Sequence, residues 1–390
     1  MPEITNDRKS SLHRYITASV REDLATKMVF VGGPRQVGKT TFSLSLLQSA
    51  PHDETHPAYL NWDNLEHRER LMAGRLPQGE KILLLDEIHK FASWRGLVKG
   101  LYDTQKSKLA IVVTGSARLD YYRKGGDSLQ GRYHYYRLHP VSLLELDASG
   151  SDESLRQLIQ FGGFPEPLFS GNKRTHARWQ RERQDRVVHE DLDGLERVKE
   201  ISLMELLMQH LPRCVGSPLS IRGLSTLLQV AHETAERWVS ILERLYYCYR
   251  IPPYGSARIR AVRKESKLYL WDWSQAPEGG PRFENLVASH LLKYCHWLED
   301  TEGARMELRF LRDHDKREVD FVVLRDGKPL FAVECKTGDR KVSPSAIYFK
   351  ERTDIGHFYQ VHVGKSDFIH ADSGVRVLPF GTFCKELKLP

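Results

Sequence analysis

The chain has 390 residues, 40% of them hydrophobic and 28% charged, and its formal net charge is +7. At about 150 residues per domain this length predicts two or three domains with ordinary apolar cores, which excludes a disordered chain, and the positive charge favours an anionic partner such as nucleic acid. The five cysteines are scattered, which argues against a zinc site and against disulfides. The sequence starts without an apolar signal and has no apolar run of roughly 20 residues, which argues against secretion and against a membrane partner. We therefore expect a cytoplasmic protein.

Short apolar runs alternate with amphipathic stretches over the first third of the chain. Strands are predicted at 28–31, 59–62, 81–85, 109–114 and 133–138, and helices at 40–48 and 94–104. Strands that are apolar throughout are typical of a parallel sheet covered on both faces. The pattern predicts a doubly wound α/β domain over residues 1–150.

A phosphate-binding sequence follows the first predicted strand directly. It satisfies the pattern G-x-x-x-x-G-K-[ST] at the start of a predicted helix. In such a loop the backbone N–H groups surround phosphates, the lysine reaches the outer phosphates, and the final hydroxyl binds magnesium. The sequence therefore predicts an ATP site, with Thr40 also a magnesium ligand, formed by Gly33, Pro34, Arg35, Gln36, Val37, Gly38, Lys39, Thr40 and Thr41.

Two adjacent carboxylates, Asp86 and Glu87, end the third predicted strand. An acidic pair at this place, downstream of a phosphate loop, predicts that Asp86 holds Mg²⁺ through water. Glu87 is then expected to polarise the attacking water as a general base. Hydrolysis of ATP, as distinct from binding, depends on Glu87 in this interpretation.

Three further residues are candidates for contact with the γ-phosphate. Thr114 and Ser116 end the fourth predicted strand and can place a hydroxyl there, although such residues are also common turn formers. Arg132 is a candidate arginine finger, because charge on the γ-phosphate in the transition state needs a cation. A P-loop domain often takes that cation from a neighbouring copy, so this candidate implies a homo-oligomer.

The chain becomes mainly helical after Pro140. Helices are predicted at 142–146 and 154–161, a Gly and Pro turn at 162–165, and a long polar helix from Lys173. Acidic residues interrupt the basic residues of that long helix. A solvated helix with internal ion pairs is therefore favoured over a binding face.

Helices at 221–229 and 233–245 precede a β-favouring run at 246–249. This order is expected of a winged helix-turn-helix, which we place in a helical domain over residues 151–265. Such a domain binds either DNA or protein. If DNA binds, we expect it to depend on the basic run at 258–267.

The last third, a predicted domain over residues 266–390, returns to mixed α and β structure. A helix is predicted at 282–294, and strands at 268–271, 307–311, 318–324, 330–336, 358–363 and 375–378.

Four residues of this region are similar to the D…E-x-K signature of PD-(D/E)XK nucleases. Glu334 and Lys336 lie two apart on a strand and so share one face, while Asp320 begins the neighbouring strand. Two carboxylates can hold a second Mg²⁺ or Mn²⁺ and the lysine can orient water, and Glu284 matches an extra acidic position of the signature. The pattern predicts a nuclease-like fold, and it leaves open cleavage, binding without catalysis, or unrelated surface charges.

Several motifs together carry a resemblance to a known family. They are Pro-Arg-Gln-Val-Gly-Lys-Thr-Thr at 34–41, Leu-Asp-Glu-Ile-His at 85–89, Thr-Gly-Ser at 114–116, Gly-Arg at 131–132 before His-Pro at 139–140, and Gly-Gly-Phe-Pro-Glu-Pro at 162–167. Over essentially its whole length the chain resembles a large bacterial and archaeal family of AAA+-type ATPases. The resemblance implies a winged helix and a C-terminal domain of unknown function related to restriction-endonuclease-like folds.

Three functions follow as hypotheses. The first is an ATP-hydrolysing machine that uses ATP and Mg²⁺ and acts on DNA. The second is a signalling switch in which ATP binding controls a protein partner. The third is an ATP-regulated, metal-dependent DNA nuclease.

Overall fold

The structure is a computed structural model that describes residues 12–50, 52–115, 129–188, 201–255, 265–338 and 341–390. The chain forms two compact units, an N-terminal unit that ends at Pro140 and a C-terminal unit that begins at Val141. Across these described ranges, no helix combines the length and the apolar character needed to cross a bilayer.

The N-terminal unit is built on a five-stranded sheet. Its elements are α1 (Thr17–Asp23), β1 (Met28–Gly32), α2 (Lys39–Leu44), β2 (Tyr59–Asn61), α3 (Leu65–Met72), β3 (Ile82–Asp86), α4 (Trp94–Gln105), β4 (Ala110–Thr114) and β5 (Tyr133–Arg137). The strand order is β2-β3-β4-β1-β5 and every pairing is parallel.

Burial explains why these strands pair in parallel. Every residue of β1 and of β3 is buried, and Phe30 and Leu83 share a core with Trp94 and Val98 of α4. Strands this apolar are stable only inside a sheet whose faces are covered. The prediction of a parallel α/β sheet is confirmed.

Helix α2 is shorter than the helix predicted at 40–48. Beyond Leu44 the backbone N–H groups of Leu46 and Leu47 bond to carbonyls three residues earlier, which tightens the chain out of the α-helix. Both leucines are nevertheless buried. The apolar periodicity therefore continues past the end of the helix, and this misled the prediction.

The first half of the C-terminal unit is mainly helical. Its elements are α5 (Leu143–Leu146), α6 (Asp152–Phe161), α7 (Pro165–Ser170), α8 (Lys173–Arg186), α9 (Ile201–His210), α10 (Ile221–Leu228), α11 (His232–Arg244), β6 (Cys248–Ile251) and β7 (Lys267–Leu270). Strands β6 and β7 form an antiparallel ribbon. Strand β6 begins later than the run predicted at 246–249, because Tyr246 has a left-handed φ of 56° at the end of α11. The winged-helix assignment of this region remains a prediction.

The second half contains a mixed six-stranded sheet. Its elements are α12 (Gly280–Glu302), β8 (Met306–Arg312), β9 (Glu318–Arg325), β10 (Lys328–Lys336), α13 (Pro344–Arg352), β11 (His357–His362), β12 (Phe368–Ile369), β13 (Arg376–Pro379) and α14 (Phe380–Glu386). The strand order is β12-β13-β11-β10-β9-β8, with β10, β11 and β13 parallel to one another. Helix α12 packs on β8, β9 and β10.

The division at Pro140 lies earlier than the domain boundary predicted at residue 150. The buried ammonium of Lys293 on α12 explains the difference, because it donates a 2.9 Å hydrogen bond to Ser142 and pairs with Glu145. These bonds attach α5 to the C-terminal unit. The boundary predicted at 265 falls between the two paired strands of the β6–β7 ribbon.

Candidate nucleotide site

Four parallel strands end at the same edge of the N-terminal sheet. Asn61 of β2 pairs in register with Asp86 of β3, Asp86 with Thr114 of β4, and Thr114 with Val31 of β1. The phosphate loop, residues 33–40, follows β1 at this edge. Ligands of open parallel sheets bind at the carboxyl ends of the strands, so the structure brings the predicted loop and the acidic pair to the expected place.

The backbone of the phosphate loop depends on two glycines. Gly33 has φ of 138° and Gly38 has φ of 94°, conformations that residues with side chains rarely adopt. A Cβ atom at Gly33 would collide with the carbonyl oxygen of Leu138, so only glycine lets the loop pass this close to the end of β5. Gln36 also has a left-handed φ, of 61°, which is uncommon without glycine.

Lys39 is held against the inner side of the phosphate loop. Its ammonium group donates hydrogen bonds to the carbonyl oxygens of Gly33 at 3.0 Å and Pro34 at 2.6 Å, and the side chain is buried. This is the position from which a loop lysine reaches phosphate oxygens.

Asp86 is the centre of a hydrogen-bonded network. Its carboxylate accepts bonds from the hydroxyls of Thr40 at 2.9 Å, Tyr59 at 2.8 Å and Thr114 at 2.5 Å. Burial, and then the charge of Asp86, raise the pKa of Tyr59 far above its usual value, so this hydroxyl stays a donor. Hydroxyl and carboxylate oxygens are the ligands that Mg²⁺ prefers, and Thr40 with Asp86 fits that ion.

Glu87 has an unusual backbone conformation next to this network. Its φ of 55° is left-handed, a strained state for glutamate that functional sites often contain. Burial, and then Asp86, raise its pKa, whereas Lys90, Lys39 and Arg35 act in the opposite direction. A carboxylate with a raised pKa is the better proton acceptor, as the predicted general base requires.

Arg14 supports the phosphate loop and was not predicted. Its buried guanidinium donates a 3.0 Å hydrogen bond to the carbonyl oxygen of Val37 in the loop and another to that of His139 after β5. Nothing in the local sequence around Arg14 indicates this contact, which joins residues far apart in the chain. Tyr59 was also missed, although its place on a strand beside Asp86 is a usable signal.

The remaining predicted residues of this site lie in varied surroundings. Thr41 is exposed on α2, and Arg35 is half-buried. The hydroxyl of Thr114 contacts Asp86, and its γ-phosphate role remains a prediction. Ser116 lies outside the described residues.

Arg132 lies at the amino-terminal ends of the strands, whereas the phosphate loop lies at their carboxyl ends. It precedes β5, whose first residue Tyr133 pairs with Met28 at the start of β1. Five residues of strand separate this position from the loop, a distance of about 16 Å. The guanidinium also bonds to Asp103 at 2.9 Å. Arg132 therefore does not reach the phosphate loop of its own chain, and a role in a second copy remains a prediction.

The structure also brings the four predicted nuclease residues into one cluster in the C-terminal unit. Glu284 and Asp320 each have an oxygen 3.2 Å from the ammonium nitrogen of Lys267, and Lys336 lies 2.6 Å from Glu334. Burial, and then the charge of Asp320, raise the pKa of Glu334 to about 7, so these carboxylates are close enough to interact strongly.

Lys267 was predicted to belong to a basic DNA-binding run at 258–267, and this prediction is wrong for Lys267. Its side chain is buried among carboxylates and cannot contact DNA. The residues at 258–264 lie outside the described part of the chain.

Comparison with known families agrees with the geometry of the N-terminal unit. Residues 25–146 match the family model described as an AAA domain. This stretch forms an AAA-type P-loop domain. Residues 152–276 and 279–383 match two further family models, each described only as a domain of unknown function.

Relatives of this chain exist in bacteria and archaea. It is 24% identical over 368 residues to the uncharacterized protein Rv2008c of Mycobacterium tuberculosis, covering 90% of this chain and 79% of that protein. It is 22% identical over 344 residues to the uncharacterized protein MJ1544 of Methanocaldococcus jannaschii, covering 80% of this chain and 75% of the relative.

Two solved structures show a weaker likeness. The ORC1 protein of Aeropyrum pernix in complex with DNA has a TM-score of 0.36 and 14% identity, with 69% of this chain and 92% of that chain covered. RuvB of Thermotoga maritima has a TM-score of 0.30 and 16% identity, with 65% and 90% covered. Both TM-scores are too low to carry a functional argument.

Proposed function

We propose that the protein binds ATP with Mg²⁺ in its N-terminal unit and hydrolyses it. The observation that carries this proposal is the contact of Thr40 with Asp86 directly beside the Lys39 ammonium and Glu87. A chance glycine turn would not place a hydroxyl, a carboxylate, an ammonium group and a second carboxylate at one sheet edge.

Each group has one role in this proposal. Lys39 neutralises the outer phosphates, and Thr40 and Asp86 are the residues that would hold the magnesium ion. The ion supplies positive charge against the phosphate oxygens. Glu87 accepts a proton from the attacking water, and Tyr59 with Thr114 keeps the Asp86 carboxylate in place.

We further propose that the partner is DNA, bound through a basic stripe on α8. The stripe consists of Lys173, Arg174, Arg178 and Arg181, all exposed, and none of them forms an ion pair with a described residue. The only ion pair within the described part of α8 lies near its C-terminal end, between Arg186 and Glu182. The sequence predicted internal ion pairs along this helix, but in the structure they do not compensate the charges of the stripe.

The stripe suits a phosphate backbone. Its four cations span about 12 Å at about 1.5 Å per helical residue. One strand of B-DNA carries a phosphate about every 3.4 Å along the axis, so the stripe matches three to four phosphates. Cations in the first turn also oppose the helix dipole, and a bound anion offsets that cost.

A protein partner controlled by ATP binding is the second candidate. It is favoured by the pairing of the half-buried Glu236 and Glu243 on α11 with Arg250, because these carboxylates already compensate the charge that Arg250 would otherwise offer to phosphates.

The test is ATP turnover measured with and without duplex and single-stranded DNA, beside the Glu87→Gln variant. Stimulation by DNA supports the DNA role. Turnover that DNA does not change supports the protein-controlled switch, and turnover that Glu87→Gln does not change refutes the hydrolytic site.

A further inference from the structure

Lys267 is an entirely buried cation in the C-terminal unit. Its side chain has 0% exposure, and its ammonium nitrogen lies 2.5 Å from Glu318 and 3.2 Å from both Glu284 and Asp320. An ammonium group has three hydrogens to donate, and three carboxylates are present to accept them. The group is therefore fully coordinated by acidic oxygens.

The chain around this position encloses the ammonium group. The backbone at 215–218 pairs with β7 at Lys267 and Leu268. Gly216 lies so close to Glu284 that an added Cβ would approach the carboxylate to 3.0 Å. The hydroxyl of Tyr269 donates a 2.7 Å bond to the same carboxylate. These contacts fix the carboxylate of Glu284 on Lys267.

Several other oxygens of the cluster accept hydrogen bonds as well, whereas Oε2 of Glu334 is buried and has no hydrogen-bond partner among the described residues. The second oxygen of Asp320 accepts the backbone N–H of Cys335 at 2.9 Å. One oxygen of Glu334 accepts bonds from Ser343 at 3.0 Å and Lys336 at 2.6 Å. A divalent ion between Asp320 and Glu334 would have to replace several of these bonds beside an existing positive charge.

Three carboxylates within hydrogen-bond distance favour the charged form of the Lys267 ammonium group.

We propose that Lys267 is a built-in cation that takes the place of a divalent metal ion in this nuclease-like carboxylate cluster. The cluster of the wild-type chain then binds no divalent metal and cleaves no phosphodiester bond, and the C-terminal unit acts without metal chemistry. Removing the ammonium group leaves a cavity between Glu284, Glu318 and Asp320, and the negative charges of these carboxylates are then not compensated. Hard divalent cations prefer such oxygen ligands, so the Lys267→Ala variant gains a metal site.

The experiment measures binding of Mn²⁺ to the full chain by electron paramagnetic resonance, with thermal unfolding in parallel. Every variant carries Asp86→Asn, so that the nucleotide site contributes no metal. The chain that carries Asp86→Asn alone is the parent, and Lys267→Ala is compared with this parent and with Lys293→Ala. Lys293 is a matched control because it is also buried and its ammonium group pairs with Glu145, outside the carboxylate cluster.

We expect no Mn²⁺ site in the parent or in Lys293→Ala, and one site in Lys267→Ala that raises its unfolding temperature and disappears when Asp320→Asn is added. A folded Lys267→Ala chain that binds no Mn²⁺ overturns the proposal.

If Lys267→Ala does not fold, measurements on the parent and on the wild type still test the proposal. A Mn²⁺ site in the parent that Asp320→Asn removes, or Mn²⁺-dependent DNA cleavage by the wild type that Glu334→Ala abolishes, overturns it. Absence of both supports it. None of these results depends on the proposed ATPase.

Discussion

The hydroxyl of Thr40 donates a 2.9 Å hydrogen bond to the carboxylate of Asp86, although the two residues are 46 positions apart in the chain. Thr40 follows β1 and Asp86 ends β3, and β4 lies between these strands in the sheet. The contact connects the phosphate loop to the strand that presents Glu87. A displacement of Thr40 would therefore remove a bond that holds the carboxylate next to the proposed general base.

Lys39 and Glu87 should fail in different ways when they are replaced. Lys39→Ala removes the charge that faces the phosphates, so we expect ATP binding to be lost. Glu87→Gln keeps the shape but cannot accept a proton, so binding should persist while turnover falls by about 100-fold or more. Calorimetry and phosphate release measure the two properties. Lys108→Ala, an exposed change before β4, is the control and should behave as wild type.

Arg14→Ala should weaken both the N-terminal unit and its affinity for ATP. The change removes two buried hydrogen bonds from a charged donor to the carbonyls of Val37 and His139, a loss of about 3 kcal/mol in unfolding free energy. Arg21→Ala is the control, because Arg21 makes a single exposed bond of 3.2 Å to Ser45. Denaturation and nucleotide titration measure the effects, and equal behaviour of the two variants would contradict the role of Arg14.

Local patterns explain which features could be predicted. The phosphate loop and the Asp86–Glu87 pair are short motifs beside apolar strands, so one stretch of sequence contains the evidence for each. Arg14 and Lys267 have no such signal. Each acts through partners that only tertiary structure brings close, and Lys267 stands in a run that reads as an exposed basic surface.

The length of α2 shows a second limit of sequence patterns. Leu46 and Leu47 keep the spacing of an amphipathic helix, but they fill the core from a tightened turn. The periodicity of apolar residues indicates which side chains are buried, but it does not distinguish burial from a continued α-helix from burial from a tightened turn.

Arg132 should act on the nucleotide of a second copy. The residue lies about 16 Å from its own phosphate loop along the sheet, which excludes direct contact within one chain. Arg132→Ala and Lys39→Ala chains should each be inactive, and a mixture should recover turnover, because one supplies the loop and the other the arginine. The reference is a mixture of Lys108→Ala with Lys39→Ala chains. Because Lys108→Ala should behave as wild type, this mixture shows the turnover expected when one of the two chains is fully active. Mixtures as inactive as the separate chains would remove the finger assignment.

The basic stripe on α8 should determine the salt dependence of DNA binding. Replacing Arg174, Arg178 and Arg181 by Gln removes up to three phosphate contacts, so the slope of log affinity against log salt should become shallower by about 3. The control is the triple Gln variant of Arg305, Arg325 and Arg352, which removes equal charge from arginines that pair with carboxylates. An unchanged slope in the α8 variant, or an equal change in the control, would exclude this surface.

His290 should make the C-terminal unit less stable in mild acid. Its ring is buried, one nitrogen accepts the backbone N–H of Leu143 at 3.0 Å, and the other lies 2.8 Å from the carbonyl oxygen of Leu286. Burial is the main cause that lowers the pKa of His290 to about 4, and Lys293 adds to it, while the Leu286 bond and Glu145 oppose it.

An unfolded histidine takes up a proton near pH 6.5, whereas folded His290 resists protonation until about pH 4. The unfolded chain therefore binds more protons between these values, and the unfolding free energy falls as pH falls through this window, by up to about 3 kcal/mol. Urea denaturation at several pH values measures the slope. His290→Gln cannot titrate and should flatten the slope although it is less stable at pH 7, whereas the exposed His232→Gln should keep the wild-type slope. If His290→Gln and wild type lose stability in parallel as the pH falls, another group is responsible for the acid sensitivity.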